Sequence, residues 1–599
     1  MNRYKLAKTL ITRNIQTVTG GELVHSSLVR NNVENVVIYS GGAIMPVIDA
    51  FYNNNKINYY IPTNEQNGGH IASGYSKTSD KVGVAIVTSG PGLTNLVTPI
   101  LDATNDSTPL VVISGQVSLK TMGTNAFQEC PATEITKHIT KWSYCLQSVN
   151  EIPRVIDLAF RIANDGKKGA VHIDIPKCIS SAKCELNINE DLYHLEQIER
   201  EKVLNIKNSK ISENKLKEIA SLINDARCPV LYVGKGCNDY SLLLKLLAEK
   251  ANIPVTTTLH AMGVFDETHE LALKMVGMHG TAYSNYCIQE SDCIIALGSR
   301  FDDRTIGEPN KYAPKAKGKI IQVNLEKRDI GRTIIPDISV LSDCGEFLKN
   351  IIPYINNNKR DIWVNRVKEL KKSYPLKYMK SSNGKIKPQS VLKELNEKLH
   401  QKNINPIITM GVGNHMMMTC QFIDWKTPNQ VVASGSLGVM GCSIGYAIGS
   451  KIANPDKMVI SIDGDGSFNM TSNELKTLVE YNIPIKIAVI NDGSLQMVKI
   501  WEELFFDKRY TATDNNNNPD YVKLAEAYGL DGLYCDNYND LPSVIDLFLE
   551  TDRPVLCEFK VEKDICLPLV GPGKALDEMI LFDDYHKNII TPMSGEAPS

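Results

Sequence analysis

No stretch of the 599-residue sequence approaches the roughly 18–20 consecutive apolar residues that a membrane-spanning helix requires. Runs such as Ile487 to Ile490 have the length of a buried strand. No charge of one sign dominates either. The 65 basic and 68 acidic residues leave a net charge of −3, which argues against nucleic acid or a membrane surface as partner. The fourteen cysteines include no C-x-x-C pair, so neither a zinc ribbon nor a redox dithiol is encoded. Several, such as Cys293 and Cys557, stand in apolar runs where a thiol acts as a small buried hydrophobe. Reduced thiols and a cytoplasmic compartment are the resulting expectation. The first 19 residues lack acids and carry Arg3, Lys5, Lys8 and Arg13. So short a segment reads as a solvated basic tail rather than as an organelle-targeting peptide.

What remains is an ordinary globular composition, 43% hydrophobic and 22% charged, on a chain long enough for three or more domains of about 100–200 residues. Short β-rich runs alternate with helical stretches. Val36 to Tyr39, Val84 to Thr88, Leu110 to Ser114 and Ala170 to Ile175 read as buried parallel strands of a first unit, residues 20–185. A polar stretch to about Lys210 follows as a linker. A second unit, 210–355, contains Pro229 to Gly234, Ile253 to Thr257, Asp292 to Gly298 and Ile320 to Asn324. Asn356 to Lys387 reads as a second linker. The third unit, 388–585, has strands at Ile407 to Thr409, Val431 to Ala433, Met458 to Ile462, Ile485 to Ile490 and Pro554 to Phe559. The fold class is α/β, with three doubly wound parallel-sheet domains. The asparagine tracts at 53–55, 356–358 and 515–518 read as loop composition without function.

Chemistry concentrates between Ile460 and Met497. One strand ends in Asp463-Gly464-Asp465-Gly466-Ser467 and the next in Asn491-Asp492-Gly493-Ser494, with 492 − 465 = 27 residues between the acids. Either segment alone reads as a turn. At the tips of consecutive parallel strands they place two carboxylates at one sheet edge, where diphosphate oxygens would complete an octahedral Mg²⁺ site. In the first unit, Thr63-Asn64-Glu65-Gln66-Asn67-Gly68-Gly69-His70 opens a helix of small residues. By itself Glu65 is an ordinary helix N-terminal acid.

Ordered motifs along about residues 20–580 go further. They are Tyr39-Ser40-Gly41-Gly42-Ala43, Thr88-Ser89-Gly90-Pro91-Gly92 with Thr94-Asn95, and Gly123-Thr124-Asn125-Ala126-Phe127-Gln128-Glu129. Gly277-Met278-His279-Gly280, Arg300-Phe301-Asp302-Asp303-Arg304, Val412-Gly413-Asn414-His415 and Leu437-Gly438-Val439-Met440-Gly441 follow, then Pro572 to Asp577. In these the chain resembles the catalytic large subunit of acetolactate synthase (acetohydroxyacid synthase), a thiamine diphosphate-dependent family.

The resemblance implies decarboxylation of pyruvate and transfer of the two-carbon unit to a second 2-keto acid, pyruvate or 2-ketobutyrate. It implies Glu65 as the group activating the cofactor's pyrimidine and Met440 as the wedge that bends the cofactor, with Gly42 and Gln128 near the reacting carbon. Thr88, Pro91, Asn95, Asn414, His415, Gly466, Ser467 and Met497 line the thiamine diphosphate. Asp465, Asp492 and the Ser494 carbonyl hold Mg²⁺. Phe127, Lys177, Met278, Arg304 and Trp501 line the substrate channel, and Arg509 to Pro519 forms a mobile lid. A structural FAD in the middle domain would contact Lys167, Gly277, His279, Gly298, Arg300, Asp302, Asn324 and Asp343. A homodimer or tetramer with sites at the subunit interface, and a small regulatory subunit, belong to the same implication. The sequence departs from the family at Asp492, where asparagine is usual, at Gly411, usually Asp, and at Lys167, Lys235, Asn324 and Glu326 around the flavin. A pyruvate oxidase-like thiamine and flavin enzyme, and a non-catalytic relative keeping the fold, are the alternatives.

Overall fold

The computed structural model describes residues 15–187 and 211–590. Its two compact units comprise residues 1–208 and 209–599. Three six-stranded sheets, every pairing parallel, organise them. The first unit holds one, in the order Asn58–Tyr60, Asn35–Ile38, Gly83–Val87, Leu110–Gln116, Ala170–Pro176, Trp142–Cys145. The second unit holds two. In the central sheet the order is Ala272–Met275, Val255–Thr257, Pro229–Val233, Cys293–Leu297, Ile320–Asn324, Ile338–Leu341. In the last it is Val431–Val432, Ile407–Met410, Val459–Gly464, Lys486–Asn491, Val555–Lys560, Asp531–Cys535.

The inner strands are continuous β-branched and aliphatic runs buried along their length, because helices cover both faces of each sheet. Numbered within its own sheet, the central order is 3-2-1-4-5-6, that of doubly wound dinucleotide-binding folds. The first and last sheets share another order, 2-1-3-4-6-5. In all three, chain direction along the sheet reverses beside the first strand, opening a crevice at the carboxyl ends of the strands.

Two expected boundaries change. Lys183–Asn187 is a strand paired antiparallel with Ile15–Thr19, so the first linker starts later; the rest of it, and the basic residues at 3–13, lie outside the described residues. The second linker contains a helix, Asp361–Ser373, which buries Trp363, Val364, Val367 and Leu370 against the central unit. Its apolar residues recur at helical spacing, but charged neighbours mask them in the sequence.

Candidate active site

In the first unit the motif residues gather at the carboxyl edge of the sheet. Asn35–Ile38 runs into the turn carrying Gly42, and Gly83–Val87 runs into Thr88 and Pro91. The two turns touch: a Cβ on Gly41 would lie 2.4 Å from the Thr88 side chain, so only glycine fits. Around Gly42 a Cβ would meet nothing within 4 Å, which leaves its backbone open to a ligand. Glu65 is the first residue of helix Glu65–Lys77, capped by Asn64, whose side chain accepts from the Asn67 N–H at 2.8 Å. Only 8% of Glu65 is exposed. Its Oε2 accepts from the Asn95 amide at 2.9 Å, and the helix N-terminus favours its negative charge.

The 121–130 loop is tied from inside the sheet. Gln116 Nε2 donates to the Cys130 carbonyl and to Asp174 Oδ2, each at 2.9 Å. Glu129 accepts from the Gly123 and Ala126 N–H groups, and these hold its carboxyl below the usual range. Gln128 adopts a left-handed φ of 61° in this loop, and Phe127 is 90% exposed. Lys177 follows strand Ala170–Pro176 at the same edge. Lys167 does not join them. It lies in the turn before that strand, at the opposite edge, because the loop from helix Ile152–Asn164 enters the sheet there.

In the last sheet the crevice lies between Ile407–Met410 and Val459–Gly464. A Cβ on Gly411 would meet Asp463 Oδ1 at 1.9 Å, so the acid usual in the family has no room here. Asn414 and His415 open helix Asn414–Phe422, and Asn414 donates to the Asp564 carbonyl at 2.8 Å. His415 Nε2 is 3.5 Å from Asp463 Oδ1. Burial pulls the histidine down to about 4 and pushes Asp463 up to about 7, so the contact is not an ion pair at neutral pH. Ser467 Oγ accepts from the Gly441 N–H at 2.8 Å, and the Met440 methyl lies 3.8 Å from a Cβ position on Gly466.

Asp465 and Asp492 occupy the tips of adjacent strands. Burial raises the pKa of both, and the charge of Asp465 helps push Asp492 up to about 7. A cation between them would relieve that penalty. Among the described residues no group of three or more His, Cys, Asp or Glu side chains is arranged around a metal position. The two carboxylates and the Ser494 carbonyl are hard oxygen ligands of the kind Mg²⁺ takes, with oxygens of a bound diphosphate left to complete its shell.

The Asn515–Asn518 tract corrects the expectation of functionless loop composition. Asn515 and Asn518 donate to Asp465 Oδ2 at 2.8 and 2.7 Å. Arg509 to Pro519, expected as a mobile lid, is tied down at several points. Glu502 accepts from Thr511 N and Thr513 Oγ1, and Asn515 N donates to the Gly493 carbonyl. Met497 and Trp501 are half-buried on helix Gln496–Phe505, where Trp501 packs on Phe505 at 5.1 Å between ring centroids.

In the central sheet the Gly277-Met278-His279 and Arg300-to-Arg304 motifs meet. Met278 N donates to the Arg304 carbonyl at 2.8 Å, and Arg304 Nη1 is 3.7 Å from Met278 Sδ. The Arg304 guanidinium remains largely open to solvent. Arg300 donates to Ser436 Oγ at 2.8 Å, and burial raises Asp302 against the opposing pull of Arg300. Gln421 donates to the carbonyl of buried His279. Gly298 follows strand Cys293–Leu297 at the crevice beside Gly236, and Asn324 donates to the Ser299 carbonyl at 3.1 Å. Asp343 caps helix Cys344–Ile351, accepting from Gly345 and Glu346 N–H groups. Buried Asn238 Oδ1 and Thr257 Oγ1 have no hydrogen-bond partner among the described residues at this carboxyl edge. Orphaned polar atoms at such a crevice fit a nucleotide-type ligand.

Family models describing thiamine pyrophosphate enzymes match the chain in three segments: an N-terminal TPP binding domain over 18–135, a central domain over 216–351 and a C-terminal TPP binding domain over 411–559. The chain is 40% identical to the mitochondrial acetolactate synthase catalytic subunit of Saccharomyces cerevisiae, over 97% of its own length and 87% of that protein. It is 39% identical to the acetolactate synthase large subunit of Mycobacterium tuberculosis, covering 95% and 94% of the two chains. To a probable acetolactate synthase large subunit of Methanococcus aeolicus it is 37% identical, covering 95% and 96%. No helix among the described residues is long and apolar enough to cross a membrane.

Proposed function

The chain belongs to the acetolactate synthase catalytic-subunit family of thiamine pyrophosphate enzymes, and on that premise we propose how its residues carry the reaction. It decarboxylates pyruvate and joins the two-carbon unit to pyruvate or 2-ketobutyrate, giving 2-acetolactate or 2-aceto-2-hydroxybutyrate for branched-chain amino-acid synthesis. The observation that carries this reading is the buried Glu65 carboxylate, held by the Asn95 amide at a helix N-terminus. A carboxylate kept there with no cation partner among the described residues suits a hydrogen bond to a pyrimidine nitrogen. Thiamine diphosphate, when bound, supplies the carbon nucleophile and electron sink.

Asp465, Asp492 and the Ser494 carbonyl would hold Mg²⁺, while Asn414, His415, Gly466 and Ser467 would cradle the diphosphate. Neutral His415 suits a site that already gathers two acids, because it can donate or accept without adding charge. Thr88, Pro91 and Asn95 would shape the pyrimidine end, and Met440 with Met497 would pack against the cofactor. The Gly42 backbone and the Gln128 amide would orient the reacting carbonyl. Arg304 offers its planar fork to the acceptor carboxylate, and Trp501, Phe127, Met278 and Lys177 shape the acceptor's space.

FAD in the central crevice is supported by the Asn238 and Thr257 oxygens, which have no hydrogen-bond partner among the described residues. Gly277, His279, Gly298, Arg300, Asp302 and Asn324 would flank it. Asp343, which also caps a helix, and Lys167 of the first unit would complete the flavin contacts that the family resemblance implies. A homodimer is supported by exposed apolar residues such as Phe127, Met45 and Tyr59 near the first site. All fourteen cysteines are free thiols, which favours the cytoplasm, although the yeast relative is named mitochondrial.

Carbon dioxide release distinguishes this reaction from its rivals. With carboxyl-labelled pyruvate, thiamine diphosphate and Mg²⁺, we expect one CO₂ per two pyruvates and no oxygen uptake. One CO₂ per pyruvate with oxygen consumed would identify a pyruvate oxidase, and no CO₂ a non-catalytic relative.

A further inference from the structure

We propose that Asn515, Asn518 and Ser494 set the metal preference of the site by filling one oxygen on each candidate ligand carboxylate. This rests on the reading of Asp465 and Asp492 as metal ligands. Asp465 Oδ2 accepts two N–H groups, from Asn515 Nδ2 at 2.8 Å and Asn518 Nδ2 at 2.7 Å. A carboxylate oxygen has two lone pairs in its plane, so this one is fully occupied and Oδ1 is left for a cation. The amide orientation follows from the chemistry, because a carboxylate only accepts and each asparagine must turn its nitrogen toward it.

Asp492 shows the same arrangement from its own loop. Its Oδ1 accepts from Ser494 N at 2.9 Å and Ser494 Oγ at 2.7 Å, which leaves Oδ2. The serine hydroxyl also lies 2.7 Å from Gln496 Oε1. Its single proton goes to the carboxylate, where the bond is charge-assisted. Asp492 thereby presents one oxygen, as a carboxamide would, although it carries a charge.

The donors are themselves fixed. Asn518 Oδ1 accepts from Asn515 Nδ2 at 3.0 Å and Asn469 Nδ2 at 2.8 Å. Backbone bonds Leu495 N to Thr513 O and Asn515 N to Gly493 O zip the tract to the loop bearing Asp492. One oxygen from each carboxylate suits a small octahedral ion such as Mg²⁺. Ca²⁺, which takes six to eight oxygens and accepts bidentate carboxylates, is disfavoured. Removing the donors frees the second oxygen and relaxes that discrimination.

The test is calorimetric titration of the full chain, saturated with thiamine diphosphate, with MgCl₂ and separately with CaCl₂. The unaltered chain is expected to bind Mg²⁺ more tightly. In the Asn515→Ala/Asn518→Ala double variant the ratio of Kd for Ca²⁺ to Kd for Mg²⁺ should fall at least tenfold, and Ser494→Ala should move it in the same direction. A ratio unchanged within twofold, whether or not both affinities drop together, overturns the proposal. Should the double variant fail to fold, Asn518→Ala alone is read against Asn518→Ser, which keeps a donor and should restore the ratio. Absence of binding of either ion to the unaltered chain would refute the metal assignment itself, and this inference with it.

Discussion

Glu65 owes its role to placement. The Asn95 amide fixes one oxygen and the helix N-terminus favours the charge, so the carboxylate tolerates burial with no ion-pair partner among the described residues. Glu65→Gln keeps size and hydrogen bonding but removes the charge, and should lower kcat by about 10²–10⁴-fold, as loss of a proton-handling group does. Asn95→Ala should lower it less, with Glu65 still present but loosely held. Glu65 and the two aspartates stand out as candidates in the sequence because each lies in a motif of fixed spacing. Asn515 and Asn518 do not, because asparagine runs look like loop composition until folding brings two of them onto one carboxylate oxygen. Gly411 is explained only by the fold, because its side-chain space is taken by Asp463.

Among the elements, every inner strand of the three sheets was readable as an apolar run, whereas five of the six edge strands were missed. Asn58–Tyr60, Trp142–Cys145, Ala272–Met275, Ile338–Leu341 and Asp531–Cys535 pair on one side only, and most carry exposed or half-exposed residues that break the run. A buried charge cluster joins the central sheet's turns to helix Asn414–Phe422 and its exit. Lys274, in a left-handed conformation, donates to Asp424 Oδ1 at 2.8 Å and lies 3.6 Å from Glu267 Oε2. Lys274→Met should destabilise the second unit by about 3–5 kcal/mol, because it removes the cation beside buried Glu267 and leaves Asp424 with only Asn396 and His400. Adding Glu267→Gln should recover part of that loss, as read by chemical denaturation. The Lys274 charge and hydrogen bonds hold Asp424 down to about 2 despite its burial. A depressed carboxyl stabilises the fold above its unfolded pKa of about 3.9 and loses that contribution as pH falls through about 2. The stability difference between the unaltered chain and Asp424→Asn should therefore shrink between pH 4 and 2.

At the scale of the whole molecule, the first and last sheets repeat one strand order, and in both the motifs follow the carboxyl ends of strands. On the proposed reading, one would present the activating acid and the other the metal ligands, while the central sheet, in a dinucleotide-binding order, would offer the flavin crevice. If paired subunits build each site, an inactive Glu65→Gln chain mixed with an inactive Asp465→Ala chain should regain activity after co-refolding, and continued silence of the mixture would contradict shared sites. FAD at a hundred times its Kd should stabilise the protein by about 2.7 kcal/mol, visible as a higher melting temperature. An unmoved melting curve would remove FAD from the account. The most direct measurement is acetolactate formation by the purified chain with pyruvate, thiamine diphosphate and Mg²⁺, beside its Glu65→Gln variant. The account predicts product from the unaltered chain and a loss of at least a hundredfold in the variant, and equal rates from the two, or no acetolactate from either, would contradict it.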